Sequence, residues 1–536
     1  MVDSVSDYAG FSQGEPADQP FTDRSAYGCG PEDSTADTSE NAAVTHRVAM
    51  IGDAPIPYTA TAGHLVALDP SSSRPAAKVF YVAFAADDRH PSTRPVTFFC
   101  SGGPGSSLVF HLLGAFAPRR IRTWTPGLTP RAPCALEDNP DSLVDRSDLV
   151  YIHPVGTGYS TAIAPHRNRD FWSVDQDAIS IRQFIKRYLT VFDRWASPIF
   201  LFGESYGAAR ACVLSWLLRQ EGMDLSGLTL QSSVLDYPAN FTNAVGLLPT
   251  FAADAWHHRK LGLAPPPADL PRFMKTVTEF ARGPYAKSLH AFPRANPVAV
   301  ATMSRFLGLP SAVLQTWNLN VRTADRVGHL AFLLSLLRAD GYAVGAYDGR
   351  VRGIDARVAA VVGPDGGVND PTLAAVAGVY AAMWKTCLVD ELKFTARANF
   401  TFLNDQALLN WDFSHRDPAG ALQAPDGQGN PTLCAAGDLA ATMASAPHMQ
   451  VLSANGYFDA VAPFLQSKLT LEAMSLADPK ARGNIAMRAY PSGHTIHLDA
   501  PSRAAMKADL ARMYAAAATH VRNEPKRFSK SESSHS

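Results

Sequence analysis

The sequence predicts an α/β protein with a mostly parallel central sheet flanked by helices and a helical cap inserted over it. Three observations predict this. Short apolar runs of strand length recur at residues 96–100, 198–202, 449–454 and 485–490, each running into a loop rich in Gly, Ser or Asn. A helix-like stretch, 208–220, follows one of them directly. Between residues 237 and 395 the pattern changes to helix-like segments punctuated by Pro265-Pro266-Pro267, which interrupt the strand-loop rhythm before it resumes.

Taken in order, residues 1–45 are rich in Asp, Ser, Gly, Glu and Thr with little apolar pattern, and are expected to be a largely disordered tail. Residues 46–236 read as the first part of the core. Two β-like runs between 62 and 86 suggest a hairpin leading the sheet, and sheet and helix then alternate to about 235. Residues 237–395 read as the cap, including the apolar run 327–337, with a separate domain as the other reading. Residues 396–522 read as the second part of the core, closing with an amphipathic helix from Ser502 to about His520. Residues 523–536 are polar and expected to be disordered.

The most informative segment is Gly203-Glu204-Ser205-Tyr206-Gly207, placed between an apolar strand and a helix. Strand, G-x-S-x-G, helix is the context of a nucleophile elbow, in which a sharp turn presents the serine hydroxyl at the sheet edge. Two further residues complete a triad in the chain order Ser, Asp, His. Asp459 follows the strand-like run ending in Asn455-Gly456, and His494 sits at the tip of the loop Pro491-Ser492-Gly493-His494. Ser205 would attack an acyl carbon, His494 would move the proton, and Asp459 would orient the imidazole. Against this stand simpler readings: an Asp after Asn-Gly is commonly a turn former, and the chain has 16 histidines. Asp412 and His415 compete from a polar loop, and His497 competes from three residues beyond His494.

The loop Ser101-Gly102-Gly103-Pro104-Gly105-Ser106-Ser107 follows the run 96–100. Glycines let backbone N–H groups face a small cavity, as an oxyanion hole requires. Tyr206, the residue after the nucleophile, is one expected donor, and this glycine-rich loop supplies the other. A phosphate-binding loop fits less well, since no Lys-Ser/Thr completes it and the spacing fails the dinucleotide pattern.

Five motifs in order resemble the serine carboxypeptidases, peptidase family S10: Gly-Gly-Pro-Gly-Ser-Ser at 102–107, the stretch 148–160, Gly-Glu-Ser-Tyr-Gly, Asn455-Gly456-x-x-Asp459, and Gly493-His494. The run 112–120, Leu-Leu-Gly-Ala-Phe-Ala-Pro-Arg-Arg, resembles the bacterial branch. The resemblance implies an α/β-hydrolase fold and hydrolysis from the C-terminal end of peptides. It implies that Ser205, Asp459 and His494 are catalytic and that Gly103 and Tyr206 are oxyanion donors. Substrate binding falls to Glu204, Ser101, Gly102 and Thr495. Glu204 would hold the substrate carboxylate in its protonated form, with an acidic optimum. Departures are present: Ser101 stands where the family usually has Asn, a Glu is absent near Ala115, a Cys is missing between Gly105 and Ser106, and the family's Ile-Asp-x-Pro reads Ile152-His153-Pro154. They leave the catalytic set whole and the C-terminal recognition set thinned.

An esterase or acyltransferase, a catalytically silent binding protein and a prolyl aminopeptidase are the other readings. The last shares Gly-Gly-Pro-Gly, but its members usually carry His where this chain has Ser101. Among 536 residues, 46% are apolar, enough for a sizeable core. A net charge of −1 argues against general nucleic-acid binding. The expected partner is a peptide or small acyl substrate, with no membrane, no cofactor and no metal. The acidic opening of the chain lacks an apolar signal region, which points to the cytoplasm, where the six scattered cysteines are expected as free thiols. Tyr159, Trp172 and Tyr206 are candidate pocket aromatics, with core packing as the alternative.

Overall fold

A computed structural model describes residues 17–87, 93–122, 134–325, 328–354, 370–476 and 478–523. The sheet has ten strands: β1 (Ala42–Ile51), β2 (Ala54–Leu68), β3 (Pro75–Ala86), β4 (Val96–Cys100), β5 (Asp148–Ile152), β6 (Thr161–Ala162), β7 (Ile199–Glu204), β8 (Leu225–Gln231), β9 (Gln450–Gly456) and β10 (Ile485–Tyr490). Their spatial order is β10-β9-β8-β7-β4-β5-β3-β2-β1, with β6 beside β3. Every pairing from β10 to β5 is parallel, and β1, β2 and β3 form an antiparallel flank. The central strands are buried on both faces, which is why they read as continuous apolar runs.

Side chains alternate across the pleat. Phe98 and Leu201 join one hydrophobic cluster with helices α2 (Val174–Val191) and α3 (Tyr206–Gln220). Phe99, Phe200 and Phe202 join a second with α1 (Val109–Gly114), α4 (Pro371–Thr386) and α5 (Ala500–Asn523). Phe99 stacks on Tyr151 with ring centroids 4.4 Å apart. Tyr159, Trp172 and Tyr206 are all buried in these clusters.

Two sequence expectations need correction. Residues 17–45 are not a loose tail. Phe21–Asp23 pairs in parallel with Phe394–Ala396, Gln19 bridges to Val44, and Thr35 to Ile163. The acidic and hydroxyl residues that made this stretch look disordered are used internally: Asp37 accepts from Ser25 and from buried Lys78, and Asp23 accepts from Tyr27. The expected tails at 1–16 and 524–536 lie outside the described residues.

The span 237–395 also divides. Helices Ala244–His257, Leu270–Phe280, Pro297–Leu307 and Ala331–Ser335 build their own core, with Phe251 stacked on Phe332 at 4.1 Å. That core includes Phe458, Phe464 and Leu465, so it is fastened beside Asp459. By contrast α4 belongs to the main sheet, through Val376, Tyr380 and Trp384. The stretch Pro371–Glu391, containing α4, is long and apolar enough to cross a membrane by length and composition, although the sequence reading saw no such segment; its packed face lies in the protein core.

Candidate active site

Parallel strands all point their carboxyl ends to one edge, where open α/β sheets place their sites. Ser205 follows β7 directly, the Ser101–Ser107 loop follows β4, Asp459 follows β9, and His494 follows β10. Four segments far apart in sequence therefore converge. Ser101, Gly102, Gly103, Glu204, Ser205, His494 and Thr495 line one cavity of about 480 Å³. A larger cavity, lined by none of these residues, lies between the helix Leu270–Phe280 and strands β9 and β10.

Ser205 has φ 59° and ψ −126°, a conformation rarely adopted outside glycine. The elbow closes tightly. A Cβ on Gly203 would lie 2.1 Å from the Gly207 carbonyl oxygen, and one on Gly207 would lie 2.4 Å from the Ser101 carbonyl oxygen. Both positions must be glycine for strand, helix and glycine loop to meet. Tyr206 is the first residue of α3, so its N–H lacks an intrahelical partner. Gly103, at φ 104°, takes a backbone turn that favours glycine.

His494 Nδ1 donates to Asp459 Oδ2 at 2.9 Å. Asp459 is fully buried, and its Oδ1 accepts the N–H groups of Val461 and Ala462, both at 2.9 Å. Burial works against an imidazolium at His494, but the adjoining Asp459 carboxylate outweighs it and raises the His494 pKa above the ordinary histidine value. The histidine loop is held from several sides. His494 N–H donates to the Tyr347 carbonyl at 2.6 Å, its carbonyl accepts from Ser232 Oγ at 2.7 Å, and Tyr347 meets its ring edge-on. Arg350 ties Asp348 to Asp499 and donates to the Pro491 carbonyl at 2.7 Å. Sequence reasoning missed Ser232, Tyr347 and Arg350, since no motif marks residues that act through backbone atoms.

The competing residues have other partners. His415 is buried between Asp175 and Asp438, at 2.6 and 3.0 Å. Asp412 pairs by its backbone with Ser173 and caps Ser414. His497 packs against His111 with ring centroids 5.3 Å apart.

The substrate-binding expectations change most. Ser101 lines the cavity, but its hydroxyl donates to the Ser106 carbonyl at 2.6 Å. Arg210, buried against Asp177, donates to the Ser101 carbonyl and fixes the loop. Glu204 is not held as a neutral acid. Burial would raise its pKa, but the His111 hydrogen bond and charge pull it down to about 2. Among the described residues its hydrogen-bond partners are His111 Nδ1 at 3.1 Å and the Gln231 amide at 2.8 Å. His111 and Gln231 were not foreseen, and the only sequence signal was their polarity within apolar runs. Among the described residues, Cys29, Cys100, Cys212, Cys387 and Cys434 are not joined in disulfides.

The family model for serine carboxypeptidase matches residues 53–240, which include the glycine loop and Ser205 but stop short of Asp459 and His494. Over that part of its length the chain is similar to the serine carboxypeptidases. Serine carboxypeptidase S10 family member 1 of Dictyostelium discoideum is 27% identical over 159 residues, 29% of this chain and 35% of that protein. Serine carboxypeptidase-like 41 of Arabidopsis thaliana is 29% identical over 210 residues, 36% of this chain and 41% of that protein. The chain thus spans about two-fifths or less of the length of these relatives. The fold is shared with the prohormone-processing carboxypeptidase Kex1Δp of Saccharomyces cerevisiae, at TM-score 0.50 and 15% identity over 85% of this chain and 91% of that one. The mostly parallel sheet and the loops at its carboxyl edge are those of an α/β-hydrolase, as expected for the family.

Proposed function

We propose that this protein is a serine-type carboxypeptidase that cleaves C-terminal peptide bonds through an acyl-enzyme on Ser205. The observation that carries the reading is the buried Asp459–His494 pair opening into the same cavity as the strained Ser205. Asp459, pinned by two amides, keeps the proton on His494 Nδ1, so that Nε2 is the free base. The base takes the Ser205 proton as Oγ attacks the acyl carbon, and returns it to the leaving amine. The Gly103 and Tyr206 amides stabilise the oxyanion. Water then releases the acyl group by the same route. Thr495, beside His494 on the cavity wall, shapes the leaving-group side. Because His494 acts as base and its pKa is raised, activity belongs on the neutral-to-alkaline side of the histidine range rather than at acid pH.

One observation favours a second reading, a serine esterase or acyltransferase. With the Ser101 hydroxyl engaged and Glu204 anionic, the cavity offers little to bind a free carboxylate. Mass spectrometry of N-blocked peptides with free and amidated C-termini, on wild type and Ser205→Ala, separates the two. Stepwise loss from free-acid peptides alone, abolished in the variant, supports the carboxypeptidase. Labelling of Ser205 by a fluorophosphonate without peptide cleavage supports ester chemistry, and no labelling of folded protein refutes both.

A further inference from the structure

Behind the catalytic serine lies a donor cluster that the proposed mechanism does not use. One ring nitrogen each of His111 and His497 and one carboxylate oxygen of Glu204 lie within 4.8 Å of one another. The two imidazoles are almost wholly buried, with exposures of 2% and 1%. His111 Nε2 and both ring nitrogens of His497 have no hydrogen-bond partner of normal geometry among the described residues, His497 making at most a marginal approach to the Phe110 carbonyl. A buried imidazole nitrogen without a partner carries a cost unless something else satisfies it. Here the ring of His497 lies beside the hydrogen-bonded pair His111 Nδ1–Glu204 Oε2.

We propose that His111, Glu204 and His497 form a binding site for a divalent transition-metal ion of the zinc class. The donor set of two imidazoles and one carboxylate suits a borderline cation, and zinc takes it with one position left open. Metal–donor bonds of roughly 2 Å in a tetrahedron place donors about 3.3 Å apart. His111 Nδ1 and Glu204 Oε2 already stand at 3.1 Å, so the approach of His497 completes the spacing. His111 and Glu204 line the cavity, which supplies an entry path and directs the open position toward the substrate space. Filling the site adds two positive charges beside the Glu204 carboxylate. The filled cavity therefore presents a cation, next in sequence to the nucleophile, to an anionic end group.

The site rests on donor geometry and stands whether or not Ser205 cleaves peptides. The test is zinc binding by the full-length, tag-free protein after chelator treatment, measured by competition with a chromophoric chelator at neutral pH. Ser205→Ala, His497→Gln and Glu204→Gln are compared, with folding checked by circular dichroism and, in the two Gln variants, by fluorophosphonate labelling of Ser205. The expected result is one equivalent of zinc, bound equally by wild type and Ser205→Ala and weakened at least about tenfold in each folded Gln variant. X-ray absorption of the loaded protein should then show a nitrogen- and oxygen-only shell. Zinc bound with equal affinity by all variants, sulfur in the shell, or no saturable binding would overturn the proposal. If one Gln variant fails to fold, the other decides.

Discussion

Replacing Asp459 by Asn tests whether the buried pair sets the state of the base. Asp459 Oδ1 accepts two backbone N–H groups at 2.9 Å, while Oδ2 faces His494 Nδ1 at 2.9 Å. An asparagine at this position keeps its carbonyl oxygen toward the two amides, because an NH₂ group there would confront two donors. Its NH₂ then faces the imidazole, and Nδ1 has to accept. The ring proton moves to Nε2, the atom that must be free to deprotonate Ser205. The side chain is almost isosteric, so the site survives while the base is lost. Loss of the correct tautomer in triads of this kind costs about 10³–10⁴ in kcat, or about 4–5.5 kcal/mol of transition-state stabilisation. The assay is kcat on an N-blocked peptide or activated ester, together with the rate of fluorophosphonate labelling, at unchanged thermal midpoint. Both rates should fall together. A folded Asp459→Asn protein that loses less than tenfold in either would refute the assignment of Asp459 and His494 as a working pair.

The pH profile of kcat/KM should rise with pH and reach half its plateau above about 6.5, since the free base forms only above the raised His494 pKa; an optimum near pH 4 to 5 would contradict this. Glu204→Gln, assayed in the presence of chelator, should lower KM several-fold for free-acid peptides and leave amidated substrates unchanged, because an anion is replaced by an amide donor; unchanged KM for both would show that Glu204 does not meet the substrate end. Gly207→Ala should destabilise the protein by about 1–3 kcal/mol in thermal or denaturant unfolding, since its Cβ would press on the backbone oxygens of Cys100 and Ser101 at 2.5 and 2.4 Å; wild-type stability would refute the tight elbow. At His415 burial lowers the pKa, but hydrogen bonds to Asp175 and Asp438 raise it to about 9. Its stabilisation is therefore complete below the unfolded value of about 6.5 and is lost as pH rises through about 9. His415→Asn should cost about 3 kcal/mol at pH 6 and progressively less toward pH 10; a pH-independent loss would mean that His415 is neutral.

What the sequence determined by itself was local or periodic. The buried strand Val96–Cys100 is legible because a strand covered on both faces must be apolar throughout. The elbow is legible because its two close backbone approaches admit only glycine, and those glycines flank the serine within five residues. Asp459 and His494 were legible because parallel strands deliver the residues after their carboxyl ends to one edge. Tertiary structure decided the rest. Residues 17–45 read as disorder by composition, yet their carboxylates and hydroxyls find partners on Lys78, Tyr27 and Ser25, and their strand pairs with residues more than 370 positions away. The cap boundary failed for a similar reason, since α4 is apolar enough for either core and only its contacts with Phe110 and the sheet cluster assign it. The ionisation of Glu204 lay furthest from the sequence. A carboxyl group in a cavity can be driven either way by what surrounds it, and the imidazole of His111, 93 residues upstream, is the group that folding placed against it.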